Sequence, residues 1–219
     1  MKYSLLLLVS LLVGCESSTT HDIGLRFDQE VTMRSYISAE DMPRTADERK
    51  ALGDASRFAL RETERVLQTS ATWQEADGRL QALASEQDDP VARRFVESAA
   101  AYRMLSAEEL KADDSPKALD ATGRYVEALV RHQSMETPLI AGALERLTTH
   151  WPAGRVADVA RGAVGTVEAH ALRNADCDGC SPEKAYSTLA TATRENRAVY
   201  DVRSVEAVEA LRALASGAE

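Results

Sequence analysis

Residues 45–69 read TADERKALGDASRFALRETERVLQT, and this stretch decides the fold. Thr45 and Glu48 stand in the T-x-x-E spacing of a capping box, in which a hydroxyl and a carboxylate satisfy amide donors left open at a helix start. Behind them Leu52, Ala55, Ala59, Leu60, Thr63, Val66 and Leu67 recur at helical intervals. That spacing puts one apolar stripe along an amphipathic helix ending near Thr69.

The same grammar repeats towards the carboxyl end. Thr72 and Glu75 form a second box ahead of Trp73, Ala76, Leu80 and Leu83. Asp89-Pro90, Ser115-Pro116, Thr137-Pro138 and Ser181-Pro182 each set a capping residue before a Pro, whose missing amide costs nothing at the first helical position. Trp151-Pro152 opens a further helix with a stripe of Val156, Val159, Ala160, Ala163, Val167 and Ala171. After Ser181 the pattern runs on through Tyr186, Leu189, Val205, Val208 and Leu211, with a break near Asp201. Gly162 and Gly165 interrupt a helical pattern and predict close approach by a neighbour. The expectation is an all-α domain over residues 45–219, an irregular helical bundle of about seven or eight helices. The Pro-marked starts are too unevenly spaced for a regular repeat.

Composition fits this reading. Aromatic residues make up 5% of the chain and 36 residues are Ala, so the core has to be built from small and aliphatic side chains. The formal charge of −9, from 26 basic and 35 acidic residues, argues against a nucleic-acid partner, which needs clustered Lys and Arg.

Upstream of Thr45 the character changes. Glu16 to Asp22 is polar and reads as a tether, and Ile23, Leu25, Phe27, Val31 and Met33 follow with weak strand-like spacing, a short extended segment. At the amino end Lys2 precedes the apolar run Leu5 to Val13, a signal-type arrangement too short for a bilayer core that needs about 20 apolar residues. The first Ala is Ala39, so the A-x-A cleavage pattern is missing, and Leu12-Val13-Gly14-Cys15 stands where the apolar run ends. This resembles the lipobox of bacterial lipoproteins. The resemblance covers Met1 to Cys15 and implies a signal peptide over residues 1–14, a diacylglyceryl group on Cys15 with further acylation of the new amino terminus, and a lipidated tether and irregular segment over residues 15–44. Two or more chains give stable anchoring without a membrane span. Glu16 follows the Cys where inner-membrane retention uses Asp, so the implied location is the outer membrane, facing the periplasm.

Three cysteines are present, and the lipobox resemblance assigns Cys15 to lipid. Cys177 and Cys180 are left three positions apart in an oxidising compartment, and a small disulfide that pins a helix end near Asn174 to the Ser181 helix start is the expected arrangement. Thiol redox chemistry is the first rival, but C-x-x-C usually acts after a strand in a βαβ setting. Covalent haem needs C-x-x-C-H, and position 181 is Ser. A zinc site could combine His170 with Cys177 and Cys180, although no fourth ligand is evident among His21, His132 and His150.

Ser181-Pro182-Glu183-Lys184 matches S-x-x-K, the nucleophile motif of penicillin-recognising enzymes. Its S-D-N and K-T-G companions are absent, and a helix cap with a first-turn Glu explains the same residues. The acidic pairs Asp88-Asp89, Glu108-Glu109 and Asp113-Asp114 fall at predicted helix boundaries and read as solvated caps. The expected function is a non-enzymatic envelope lipoprotein, with no cofactor, that binds or scaffolds another envelope protein near the bilayer. A small-ligand, metal or redox module at His170, Cys177 and Cys180 is the alternative, with a serine hydrolase using Ser181 and Lys184 behind it.

Overall fold

The computed structural model describes residues 45–174, 179–195 and 202–217; the signal-type segment, Cys15, the tether, the expected extended segment and Cys177 lie outside the described residues. Nine helices and no strand occupy the described residues: α1 (Ala46–Thr69), α2 (Trp73–Ser85), α3 (Pro90–Ser106), α4 (Glu108–Lys111), α5 (Pro116–Arg131), α6 (Thr137–Leu147), α7 (Ala153–Asn174), α8 (Pro182–Arg194) and α9 (Val202–Ser216). The expected all-α bundle is observed. The additional element is α4, a single turn too short to announce itself by periodicity.

The starts follow the caps. Thr45 Oγ1 accepts from the Glu48 amide at 3.1 Å, and Glu48 Oε2 accepts from the Thr45 amide at 3.0 Å, so both halves of the box are made. Thr72 accepts from the Glu75 amide, whereas the Glu75 carboxylate reaches one residue further back, to the Ala71 amide. Asp89, Ser115 and Ser181 cap α3, α5 and α8, each before a Pro.

Two starts differ in detail from the sequence reading. Thr137 is not a cap: Glu136 holds that position without a side-chain bond, and Thr137, 1% exposed, donates its hydroxyl to the Ser204 carbonyl in α9. A tertiary acceptor takes the hydroxyl that local spacing reserves for the helix start, and Ser134 Oγ accepts from the Glu136 amide in its place. Helix α7 begins at Ala153, and Trp151 is a core residue.

The helices pack largely on close neighbours in sequence. Helix α1 lies against α2 and α3, α3 against α5, α5 against α6 and α7, and α7 against α8 and α9. Helix α9 also packs on α6. The core follows this order in three clusters. Ala59, Ala84, Phe95, Val96 and Ala99 join α1, α2 and α3 at one end. A larger central cluster runs from Val66 and Trp73 through Met104, Leu129, Ile140 and Leu144 to Val156 and Leu211. Val167, Ala171, Tyr186, Ala190, Val205 and Val208 join α7, α8 and α9 at the other end, with half-buried Cys180 against them.

Buried Ala lets helix axes approach closely, and glycine carries the tightest crossings. A Cβ on Gly123 would lie 2.3 Å from Trp151 Cζ2, so the indole rests directly on the α5 backbone. The close approach expected at Gly162 is real, since a Cβ there would meet Val130 Cγ1 at 2.8 Å. At Gly165 a Cβ would meet nothing within 4 Å, so the same expectation fails there. Both residues have the same helix-breaking tendency, and only the neighbouring helix distinguishes them. Among the described residues no helix is long and apolar enough to cross a membrane.

Candidate functional site

Helix α3 stops at Ala107, whose extended backbone turns the chain while its amide still bonds back to the Met104 carbonyl. The single turn α4 follows, then the Ala112 to Ser115 loop, which Asp113 organises. Asp113 Oδ1 accepts from the Ser115 amide at 2.9 Å, and Oδ2 accepts from the Trp73 indole N–H at 3.0 Å. The Ser115 amide, with the Ser115 hydroxyl and Trp73 beside it, holds the Asp113 carboxyl below its ordinary pKa. The pair Asp113-Asp114 is therefore divided: Asp113 is a fixed acceptor that ties the start of α2 to the start of α5, and Asp114 is the solvated member. Arg146, near the end of α6, donates from Nη2 to the Asp113 carbonyl at 3.0 Å and to Asp114 Oδ1 at 3.3 Å.

Beside this loop, the end of α3, the turn α4, and helices α5 and α6 enclose a cleft of about 280 Å³. Leu105, Leu110, Pro138, Leu139 and Ala143 make its walls apolar. Gly142 also lines it, and a Cβ there would meet nothing within 4 Å. A glycine inside a helix costs roughly 0.5–1 kcal/mol relative to Ala, and here its missing side chain leaves the cleft open.

Thr122 of α5 lines the cleft and is 0% exposed, and its hydroxyl has no hydrogen-bond partner. Ser98 of α3, equally buried, shares this lack, whereas the other buried helical threonines do not. The buried Thr63 donates to the Ala59 carbonyl at 2.8 Å and Thr193 to the Leu189 carbonyl at 3.0 Å, the ordinary outlet for a helical threonine. A desolvated hydroxyl left unbonded costs about 1–3 kcal/mol. Lys111 and Arg146 supply two cations to the lining. Their carboxylate partners, Glu108 and Asp114, have side chains 89% and 87% exposed.

The residues singled out from sequence are not brought together here. His170 is half-buried on α7, and Cys177, the residue needed to join it to Cys180, lies outside the described residues. Among the described residues no three His, Cys, Asp or Glu side chains cluster as a metal site. Ser181 is exposed, and its hydroxyl accepts from the Lys184 backbone amide at 3.2 Å, the bond of a helix cap. Lys184 is exposed as well.

Two polar contacts between helices were invisible to local sequence patterns. Asp77 of α2 accepts from the Tyr125 hydroxyl at 2.7 Å and from Arg124 Nη2 at 2.8 Å, which joins α2 to α5. Burial first, and then the Asp77 carboxylate, push the Tyr125 phenol far above its ordinary pKa. His132, at the end of α5, lies 2.6 Å through Nε2 from Glu97 Oε2 of α3, with a side chain only 9% exposed.

Burial lowers the His132 pKa below its ordinary 6.5; Glu97 opposes this, and Arg131 and Arg94 add to it. The neutral ring is thus the folded form, and the unfolded chain takes up the proton first as the solution is acidified. This contribution to stability is fully present above 6.5 and is lost as the pH falls from there through the lowered folded-state value. Between about pH 7 and about pH 5, wild type should lose more stability than His132→Gln in parallel urea titrations. Parallel profiles would show that the histidine does not titrate this way.

The comparisons with known proteins add no relative: the chain matches no protein-family model, no curated protein and no solved structure.

Proposed function

We propose that the chain is a membrane-anchored envelope lipoprotein whose helical domain works by binding, with the cleft between α4, α5 and α6 as its binding site. The observation that carries the binding role is an apolar cleft of about 280 Å³ whose lining includes the two cations Lys111 and Arg146. The anchor rests on Leu12-Val13-Gly14-Cys15 at the end of a short apolar run. Cys15 carries the lipid, Cys177 and Cys180 form the local disulfide that joins α7 to α8, and the domain faces the periplasm from the outer membrane. The polar tether keeps it close to the bilayer. Whatever it meets, whether another envelope protein or a small amphiphile, is met at that surface.

Cell fractionation with labelled palmitate tests the anchor. Wild type should take up label and sediment with membranes, and Cys15→Ala should carry none and appear in the soluble fraction or as uncleaved precursor. Wild type that takes up no label would remove the lipoprotein assignment. Photo-crosslinking from a position on the cleft rim, Leu139, tests the binding site. Adducts from this position that are absent when the same probe sits on exposed Gln74 of α2 support the cleft, and identical adducts from both argue against it.

A further inference from the structure

The polar groups of the cleft share one end. Arg146 stands at the end of α6 and reaches Asp113 and Asp114 just before α5, Lys111 closes α4 immediately ahead of that loop, and Thr122 lies in the second turn of α5. Pro138 and Leu139 are at the opposite end, in the first turn of α6. The nine residues from Pro138 to Arg146 span about 12 Å of helix, the length of a medium aliphatic chain. The cleft is therefore amphiphilic along its length, and a volume of about 280 Å³ puts it near the lower bound of small-ligand sites.

The two cations remain available to a ligand. Lys111 Nζ bonds Glu108 Oε1 at 3.0 Å and Arg146 Nη2 bonds Asp114 Oδ1 at 3.3 Å, but both carboxylates project into solvent, where such pairs are worth little. A carboxylate held at the cleft would compete with them from a drier position. Arg146 presents a planar fork, of which the structure commits Nη2.

Resting on the binding role proposed above, we infer that the cleft takes an aliphatic carboxylate, its chain along the Pro138 to Ala143 wall and its head group at the Lys111 and Arg146 end. Length is set by the helix that lines the cleft, so medium chains fit and long ones project into solvent.

The test is calorimetric titration of the full lipidated chain in phospholipid nanodiscs with octanoate and with octanol, with empty nanodiscs subtracted. Octanoate should bind saturably and octanol more weakly. Arg146→Met should weaken octanoate about ten-fold while leaving octanol unchanged, Arg146→Lys should restore most of the loss, and raised salt should weaken octanoate alone. Because Arg146 also holds the Asp113 loop, Lys111→Met, whose partner is the exposed Glu108, provides a second reading and should weaken octanoate several-fold. Gly142→Leu, which fills the cleft, should abolish binding of both compounds with the helical content preserved. Equal binding of octanoate and octanol, indifferent to Arg146 and Lys111, would overturn the carboxylate but keep the cleft as an apolar site. No saturable binding of either compound to wild type would overturn the carboxylate, while the binding role of the cleft stands or falls separately with the Leu139 crosslinks.

Discussion

Gly123→Ala is expected to lower stability by about 2 kcal/mol, because overpacking a tight core costs about 1–3 kcal/mol or more and outweighs the helix-propensity gain of about 1 kcal/mol. The added Cβ would stand 2.3 Å from Trp151 Cζ2 and 3.0 Å from Cε2, distances at which the ring has to move. It has little freedom to do so. Trp151 is 7% exposed, and the Arg155 guanidinium carbon lies 3.8 Å from the centroid of its ring. Arg155 is itself fixed to Glu127 Oε1 through Nε and Nη2, at 3.0 and 2.7 Å. In a chain of this size the loss corresponds to a Tm lower by about 4–8 °C, measurable by thermal melting followed by circular dichroism. With Trp151→Leu already in place the obstacle is gone, and the same alanine should be neutral or stabilising by about 0.5–1 kcal/mol. An equal loss in both backgrounds would mean that the ring is not the cause.

Asp77→Ala should cost about 2–3 kcal/mol, mostly because it strands the buried Tyr125 hydroxyl, for which a lost acceptor costs about 1–3 kcal/mol. The ion pair contributes the smaller part, since the Arg124 side chain is 50% exposed and exposed pairs are worth about 0–1 kcal/mol. Tyr125→Phe should cost only about 1 kcal/mol, because Asp77 keeps Arg124. The double variant distinguishes this from simple loss of contacts. With no hydroxyl left to strand, it should be destabilised by clearly less than the sum of the two single changes in urea unfolding. Strict additivity would rule out a shared bond.

What could be read from the sequence was local. Thr45, Thr72, Asp89, Ser115 and Ser181 announce helix starts because a cap is satisfied within three residues, and the stripes behind them fix which faces are buried. Thr137 misled because it carries the same local signal, and its hydroxyl is claimed by Ser204, far along the chain. The cleft was not legible for the same reason. Its walls come from α3, α4, α5 and α6, and nothing in the spacing of Leu105, Thr122 and Arg146 sets them side by side. One local trace existed, Gly142 within a helical run, and it resembles Gly165 and Gly123 until the neighbouring elements are known. Asp113 illustrates the limit for charge. As one of an adjacent acidic pair it looks solvated, and only the folded chain brings the Trp73 indole and the Ser115 amide to it.

The order of packing also bears on how the chain reaches this structure. Helix α3 finds its surface on α1 and α2, α5 on α3, and α7 on α5 and α6, so nearly every helix meets a partner already made when the chain appears amino end first. Low contact order of this kind favours rapid folding and leaves little apolar surface waiting. The exception is α6, whose contact with α9 and whose Thr137 hydroxyl both depend on the last described helix. Until α9 emerges, the start of α6 is an open seam, and a chain stalled or truncated before Val202 should be captured there by chaperones.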